Sequence, residues 1–461
     1  MSTAIADATE FLAELVAALP PESVVTEPAR MAGYRYDRAN DPAAGTPLAV
    51  VKPGSTAEVQ TAVRIAAAHR VPIITRGAGT GLSGGSTAQD GAITISTERL
   101  RDISIEPSTR MATVGPGVLN AEVKAAVAAH GLWYPPDPSS FEICSIGGNI
   151  ATNAGGLCCV KYGVTTDYVL GIQVVLADGK AVRLGGPRLK DVAGLPLTKL
   201  FVGSEGTLGI ITEVTLRLVP AQARASVAVA FFGSIDDATA AILEISRQMR
   251  PSMLEFMDRV SINAVEDETR MGLDRDAEAF LLIGTDAEGP AAERELAIIE
   301  AALVANRVGE YFVTDDPDEA EQFIVARRMA IPAVERTGTI LLEDVGVPVP
   351  ALGDLIRGIE TIAERRGVVI SVIAHAGDGN THPLVVFDPA DPVQTEQAQV
   401  AFGEIMDLAI ALGGTITGEH GTGRLKSPWL LDYLGEDVLE LNQRVKRALD
   451  PDGILNPGVI F

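Results

Sequence analysis

The segment 76–86, Arg-Gly-Ala-Gly-Thr-Gly-Leu-Ser-Gly-Gly-Ser, constrains this chain more than any other stretch, because five of its eleven residues are glycine. A backbone so free of Cβ atoms can curl and aim successive N–H groups at one anion, which is the chemistry of a phosphate cradle. Residues 79–84 also fit the G-x-G-x-x-G spacing of a dinucleotide-binding turn, but that turn has to open a helix. Here the chain continues through loop material to Gly91 and then into the strand-like residues 92–96. The Rossmann reading fails. Two readings survive: a cofactor held by backbone amides between two strands, and a flexible glycine-rich hairpin that binds nothing.

Around the loop, residues 48–51 and 71–75 read as strands, and residues 55–58 (Ser-Thr-Ala-Glu) form a capping-box start for a helix to about His69. A second run, 135–140 followed by 146–156, is nearly all small residues, which let a large flat ligand lie against backbone. A strand at 169–176, a turn at Asp178 and Gly179, a further strand and the run 203–212 complete a region ending near Pro220. Beyond Ala223, apolar runs at 226–232, 280–285, 339–347, 368–375 and 383–387 alternate with helical stretches at 235–249, 290–306, 317–329, 350–366 and 392–412. This pattern predicts an α+β layer, a sheet with helices on one face. The domain division expected is a helical segment 1–44, a first domain 45–222, a second domain 223–415 and a closing segment 416–461 that returns to the first.

Lys+Arg 37 against Asp+Glu 61 leaves a net charge of −24, which argues against nucleic acid and against polybasic membrane docking, and requires a local cation for any anionic substrate. The opening helix puts Phe11, Leu12, Leu15, Val16 and Leu19 on one face with no basic segment before it, so neither a signal peptide nor a transit peptide is expected. No apolar run is long enough for a transmembrane segment. The three cysteines, Cys144, Cys158 and Cys159, are odd in number, fit a reducing cytoplasm rather than a disulfide framework, and lack the spacing of a cluster or structural zinc site. They read as packing residues.

Three of only five histidines fall in two short glycine-punctuated runs, 375–382 and 418–421. Residues 368–374 and 383–387 read as strands joined by a loop, so His375 and His382 face each other within reach of one metal ion. Asp378 and Asn380 read equally as simple turn residues. In an extended segment the consecutive Glu419 and His420 point to opposite sides, so one of them joins the metal and the other serves as a base; the residues alone leave both assignments open. Arg327 and Arg328, at a helix end, suit either a substrate carboxylate or a solvated helix terminus.

Six motifs in this order, 76–86, 147–156, 203–209, 375–383, 418–421 and 455–458, resemble the FAD-linked 2-hydroxy-acid dehydrogenases of the vanillyl-alcohol oxidase superfamily, over about residue 45 to 461. The nearest members in pattern are the flavin subunit of glycolate oxidase, cytochrome-type D-lactate dehydrogenase and D-2-hydroxyglutarate dehydrogenase. The resemblance implies an α+β fold: a two-subdomain FAD-binding domain of the p-cresol methylhydroxylase type, with an α+β cap carrying an antiparallel sheet. It implies non-covalent FAD, since 76–86 contain no histidine for a tether. The matching cofactor positions are Arg76, Gly77, Ala78, Gly79, Thr80, Gly81, Gly84, Gly85 and Ser86, then Pro135, Asp137, Gly147, Gly148, Asn149, Ala151, Thr152, Asn153, Gly155 and Gly156, and finally Glu205, Gly206, Gly209, Ile210 and Asn456. It further implies that His375, His382 and Glu419 bind a divalent metal, usually zinc, that His420 is the base, and that Arg327 engages the substrate carboxylate.

The implied reaction is oxidation of a 2-hydroxy acid to the 2-oxo acid, with electrons passing to a quinone, a carrier flavoprotein or cytochrome, or an iron-sulfur subunit. A homodimer is compatible with it. Leu341, Leu342 and Leu384 stand where relatives acting on dicarboxylates carry polar residues, which favours D-lactate or glycolate over D-2-hydroxyglutarate. A redox-neutral transferase of the alkyl-glycerone-phosphate synthase type, a metal-dependent hydrolase and a non-catalytic electron-transfer subunit are the competing readings.

Overall fold

The computed structural model describes residues 2–223 and 225–461, with side chains from Ala8 onward. It divides into two compact units, the first made of Met1–Ala154, Val164–Ala221 and Glu419–Phe461, the second of Gly155–Gly163 and Gln222–Gly418.

Among the described residues the first unit holds, besides the two-stranded pair Leu132–Trp133 with Val219–Pro220, two larger sheets. In one, Ala49–Val51 and Ile73–Arg76 flank Ile93–Ser96 in parallel, and Val24–Val25 adds an antiparallel edge. The helix Thr56–His69 crosses between two of these strands; it starts at Ser55, whose Oγ accepts the Glu58 N–H (3.3 Å), and stops at Arg70 in a left-handed conformation (φ 52°). In the other sheet, five antiparallel strands run in the order Ile103–Glu106, Met111–Val114, Ile210–Arg217, Val169–Val175, Ala181–Gly185. Two apolar cores form, and the first draws on Val175 and Ile210 of the antiparallel sheet as well as on the parallel strands. The opening helix buries Phe11, Leu15 and Leu19 against the first core, but Val16 is 50% exposed. At about 100° per residue Val16 falls some 140° from Phe11, past the rim of the stripe that the other three define.

The second unit is built on one antiparallel sheet with Glu310–Thr314 at one edge, then Ser226–Phe232, Ala279–Thr285, Met253–Asp258, Val369–His375, Asn380–Phe387 and Thr339–Leu342, with the short strand Val345–Gly346 also on Asn380–Phe387. Helices cover both faces rather than the one expected. Arg259–Thr269, Pro317–Arg328 and Ala330–Glu335 share a core with Val227, Val229, Phe280 and Leu282, while Ile235–Gln248, Pro290–Ala305, Leu352–Arg366 and Pro392–Ala411 pack elsewhere on the sheet. The reason lies in Ala279–Thr285, buried at every position: a strand apolar on both sides needs two covers. Among the described residues, no helix is long and apolar enough to cross a membrane.

Candidate active site

Within the first unit the two small-residue runs lie side by side. The run 146–152 is a short helix, Ile146–Thr152, capped by Ser145, whose Oγ accepts N–H bonds from Gly148 (3.3 Å) and from Ala78 of the first loop (3.2 Å). A Cβ on Gly77 would collide with the same Ser145 oxygen, so glycine is needed for this approach. Among the described residues, the backbone N–H groups of 79–85 make no hydrogen bond within the protein. Arg76, only 7% exposed, lies over the Tyr34 ring at 5.9 Å, and its Nη1 finds no partner among the described residues. Unbonded amides beside a buried, partly unpaired cation fit a bound pyrophosphate.

The other expected cofactor positions divide by what their side chains already do. Asn149 is committed to Asn120 (3.1 Å) and Cys144 (3.2 Å), and Asn153 closes the helix at φ 57° while its Oδ1 accepts from Thr166 N (2.9 Å). Gly209 is a packing glycine: a Cβ there would press on Val174 and Phe201. Gly155 and Gly156 belong to the second unit. Asn456 donates to the carbonyls of Gly85 (2.9 Å) and Glu205 (2.6 Å), so the chain's closing turn ties the cradle to Glu205.

The returning segment after Gly418 is laid along the same loop. Ser83 Oγ donates to the His420 carbonyl (3.1 Å), and the Arg424 N–H donates to the Ser83 carbonyl (2.9 Å). Glu419 and His420 do not point apart as an extended segment would have them; the chain bends there and turns at Gly421 (φ 86°), bringing His420 Nε2 to 3.8 Å from Glu419 Oε1.

Glu205 accepts the N–H groups of Thr422 and Gly423 (both 2.8 Å), and burial pushes its carboxyl up from 4.5 to about 7 despite these bonds. Between those pH values the folded protein keeps a proton that the unfolded chain has lost, so stability falls as pH rises from 4.5 to about 7. The effect is on the order of 3 kcal/mol. Urea unfolding at about pH 5 and about pH 8 should show Glu205→Gln losing less stability across that interval than the wild type; equal losses would refute the assignment.

In the second unit His375 and His382 come together, by a register slightly different from the one expected. The strand Asn380–Phe387 begins three residues early, leaving the four-residue turn 376–379, in which Gly379 adopts φ 83°. His375 pairs with Asn380 and His382 with Ile373, so the histidines are diagonal rather than opposite, on one face of the hairpin. Their rings meet edge to face with centroids 5.2 Å apart, and a ring nitrogen of each lies within 4.8 Å of the other.

Two buried acids that no sequence motif marks, Glu255 and Asp344, complete this unit's polar cluster. Glu255, on the strand Met253–Asp258, sits 2.9 Å from His375 Nδ1 and 2.8 Å from Arg327 Nη2. Asp344 accepts from Thr417 Oγ1 (2.7 Å) and Gly418 N (3.0 Å), with its other oxygen 3.8 Å from His382 Nδ1. The one available signal was an acid inside an apolar run, Met253 to Asp258 and Leu341 to Val347. Arg327 is therefore neither solvated nor idle: it is 2% exposed and ion-paired, whereas Arg328 lies 3.7 Å from Glu321 near the surface. A carboxylate on His375 Nδ1 keeps the proton there and the lone pair on Nε2, which is how metal-binding imidazoles are held. The donor set fits a divalent ion.

A family profile described as "FAD linked oxidases, C-terminal domain" matches residues 221–460, and one described as "FAD binding domain" matches residues 47–185. "Glycolate oxidase subunit GlcD" of Bacillus subtilis (strain 168) is 40% identical over 451 residues, covering 97% of this chain and 96% of that protein. "D-lactate dehydrogenase" of Archaeoglobus fulgidus is 34% identical over 459 residues, covering 97% and 98%. A crystal structure of p-cresol methylhydroxylase with substrate bound matches with a TM-score of 0.79 at 17% identity, covering 98% of this chain and 96% of that one, a likeness of fold alone.

Proposed function

Because the chain belongs to the FAD-linked oxidases, we propose that it oxidises a small D-2-hydroxy acid, D-lactate or glycolate, to the 2-oxo acid and passes the electrons to an acceptor other than a nicotinamide. The observation that carries this reading is the buried histidine pair of the second unit, with a ring nitrogen of His375 within 4.8 Å of one of His382 and with Glu255 on His375 Nδ1. In the first unit the glycine-rich loop, its amides unbonded among the described residues, supplies the cradle that the family's cofactor needs.

In this reading the cradle holds FAD without a covalent bond, and the bound flavin supplies the acceptor for the C2 hydride. His375, His382 and Glu419 hold a divalent ion, most simply zinc, which supplies the positive charge that eases loss of a hydroxyl proton. His420 takes that proton. Arg327 offers a guanidinium edge to the substrate carboxylate while its Nη2 stays on Glu255, fixing C2 for transfer. Leu342 of Thr339–Leu342 pairs across the sheet with Leu384, which lies two residues from His382 on the same face of its strand. Apolar side chains at these positions offer a second carboxylate no partner.

Turnover with an artificial dye acceptor tests the substrate class: kcat/KM for D-lactate or glycolate should exceed that for D-2-hydroxyglutarate by at least about tenfold, the discrimination expected when a charged group meets an apolar wall. The reverse order would sink the monocarboxylate assignment. Replacing Gly77 with Val should yield a folded but colourless protein, because the side chain would push the first loop off Ser145; flavin absorbance of the purified variant checks this, and full yellow colour would refute the role given to the loop. The physiological acceptor is proposed to be a quinone, a carrier protein or a partner subunit. A cytoplasmic location is proposed on the same grounds of cysteine usage as above, with no disulfide among the described residues.

A further inference from the structure

We infer that Glu255 is a positioning residue whose single carboxylate holds both the imidazole of His375 and the guanidinium of Arg327, and thereby sets the metal affinity of the hairpin. The inference rests on the proposed function for what His375 binds, and on geometry for the rest. Glu255 and His375 are direct partners in the antiparallel register of Met253–Asp258 with Val369–His375, which brings their Cβ atoms to about 5 Å. Both carboxylate oxygens lie 2.9 Å from His375 Nδ1, and Oε2 lies 2.8 Å from Arg327 Nη2. Arg327 also reaches the Ala374 carbonyl (3.4 Å), next in the chain to His375.

Glu255 is 0% exposed, between Leu254 and Phe256 at 1% and 0%. A carboxylate in such a place is retained only with partners, and one arginine would suffice to neutralise it. Aiming it at the histidine as well does something neutralisation does not require. It holds the Nδ1 proton and orients the ring, so that the lone pair of Nε2, the atom that would meet a metal, points in a fixed direction. It also fixes Arg327 by one nitrogen, so the guanidinium plane is set before any substrate arrives. Losing Glu255 should therefore weaken metal binding even where the fold survives.

The probe is zinc alone, titrated into FAD-loaded full-length protein freed of metal, in competition with a chromophoric chelator. Glu255→Gln should raise the zinc Kd about 10–100-fold relative to wild type, the usual effect of losing an outer partner of a ligating histidine. Since that variant takes the charge partner from a buried arginine, the double variant Glu255→Gln/Arg327→Met serves as the folded control: it removes both charges. A purely structural role predicts that the double variant regains wild-type zinc affinity along with its stability, and that result overturns the inference. A Kd still raised about 10–100-fold in the folded double variant supports it. If wild-type protein binds no zinc at all, the metal reading under Proposed function falls first, an outcome distinct from equal binding by wild type and variants.

Discussion

Replacing His420 with alanine should lower the rate of flavin reduction by a 2-hydroxy acid by about 10³–10⁴-fold, at the upper end of what a positioned general base contributes. FAD should stay bound, because what the cradle takes from this residue is its backbone carbonyl, held by Ser83 Oγ, and alanine keeps that carbonyl. Metal should stay bound as well if Glu419 is the ligand. Stopped-flow absorbance of the flavin, with metal content of the same samples, checks all three points. The bend that brings Glu419 Oε1 and His420 Nε2 to 3.8 Å makes the control necessary, because both side chains are candidates for either task. Loss of metal in His420→Ala would reverse the assignment and make Glu419 the base.

Removing the metal should be nearly as severe. Prolonged chelation is expected to slow flavin reduction roughly a thousandfold, the several kcal/mol that a Lewis-acid ion contributes to charge development, while leaving the flavin spectrum unchanged. Zinc should restore the rate. His382→Ala should show the same loss without rescue, since one of the two imidazoles on the hairpin face is gone. An unaffected rate after complete removal of metal would mean that the histidine pair serves the fold alone.

The cradle was legible in the sequence because its requirement is negative: only glycine tolerates the approach of Gly77 to Ser145, and repeated small residues advertise that need. The histidine pair was legible because histidine is rare in this chain, with five in total, and because glycine marks the turn between the strands. The register was not, since a turn of four residues and one of six read alike until the hydrogen bonds are known, and the difference moves His382 from opposite His375 to the diagonal. Glu255 and Asp344 escaped for another reason. Each stands in an apolar strand run with nothing local to mark it, and its meaning comes from partners distant in sequence: His375 is 120 residues from Glu255. The two-sided cover of the large sheet was hidden likewise, because strands apolar on both faces lose the alternation that would reveal which side a helix takes.

The most direct test of the account is an anaerobic titration of the purified yellow protein with D-lactate, L-lactate, glycolate and D-2-hydroxyglutarate, following the flavin absorbance. D-lactate or glycolate should bleach it stoichiometrically, L-lactate should leave it oxidised, and prior chelation should suppress the bleaching. If none of the four hydroxy acids reduces the flavin, the chain does not oxidise this class of substrate, and the cradle and the histidine hairpin serve some other chemistry.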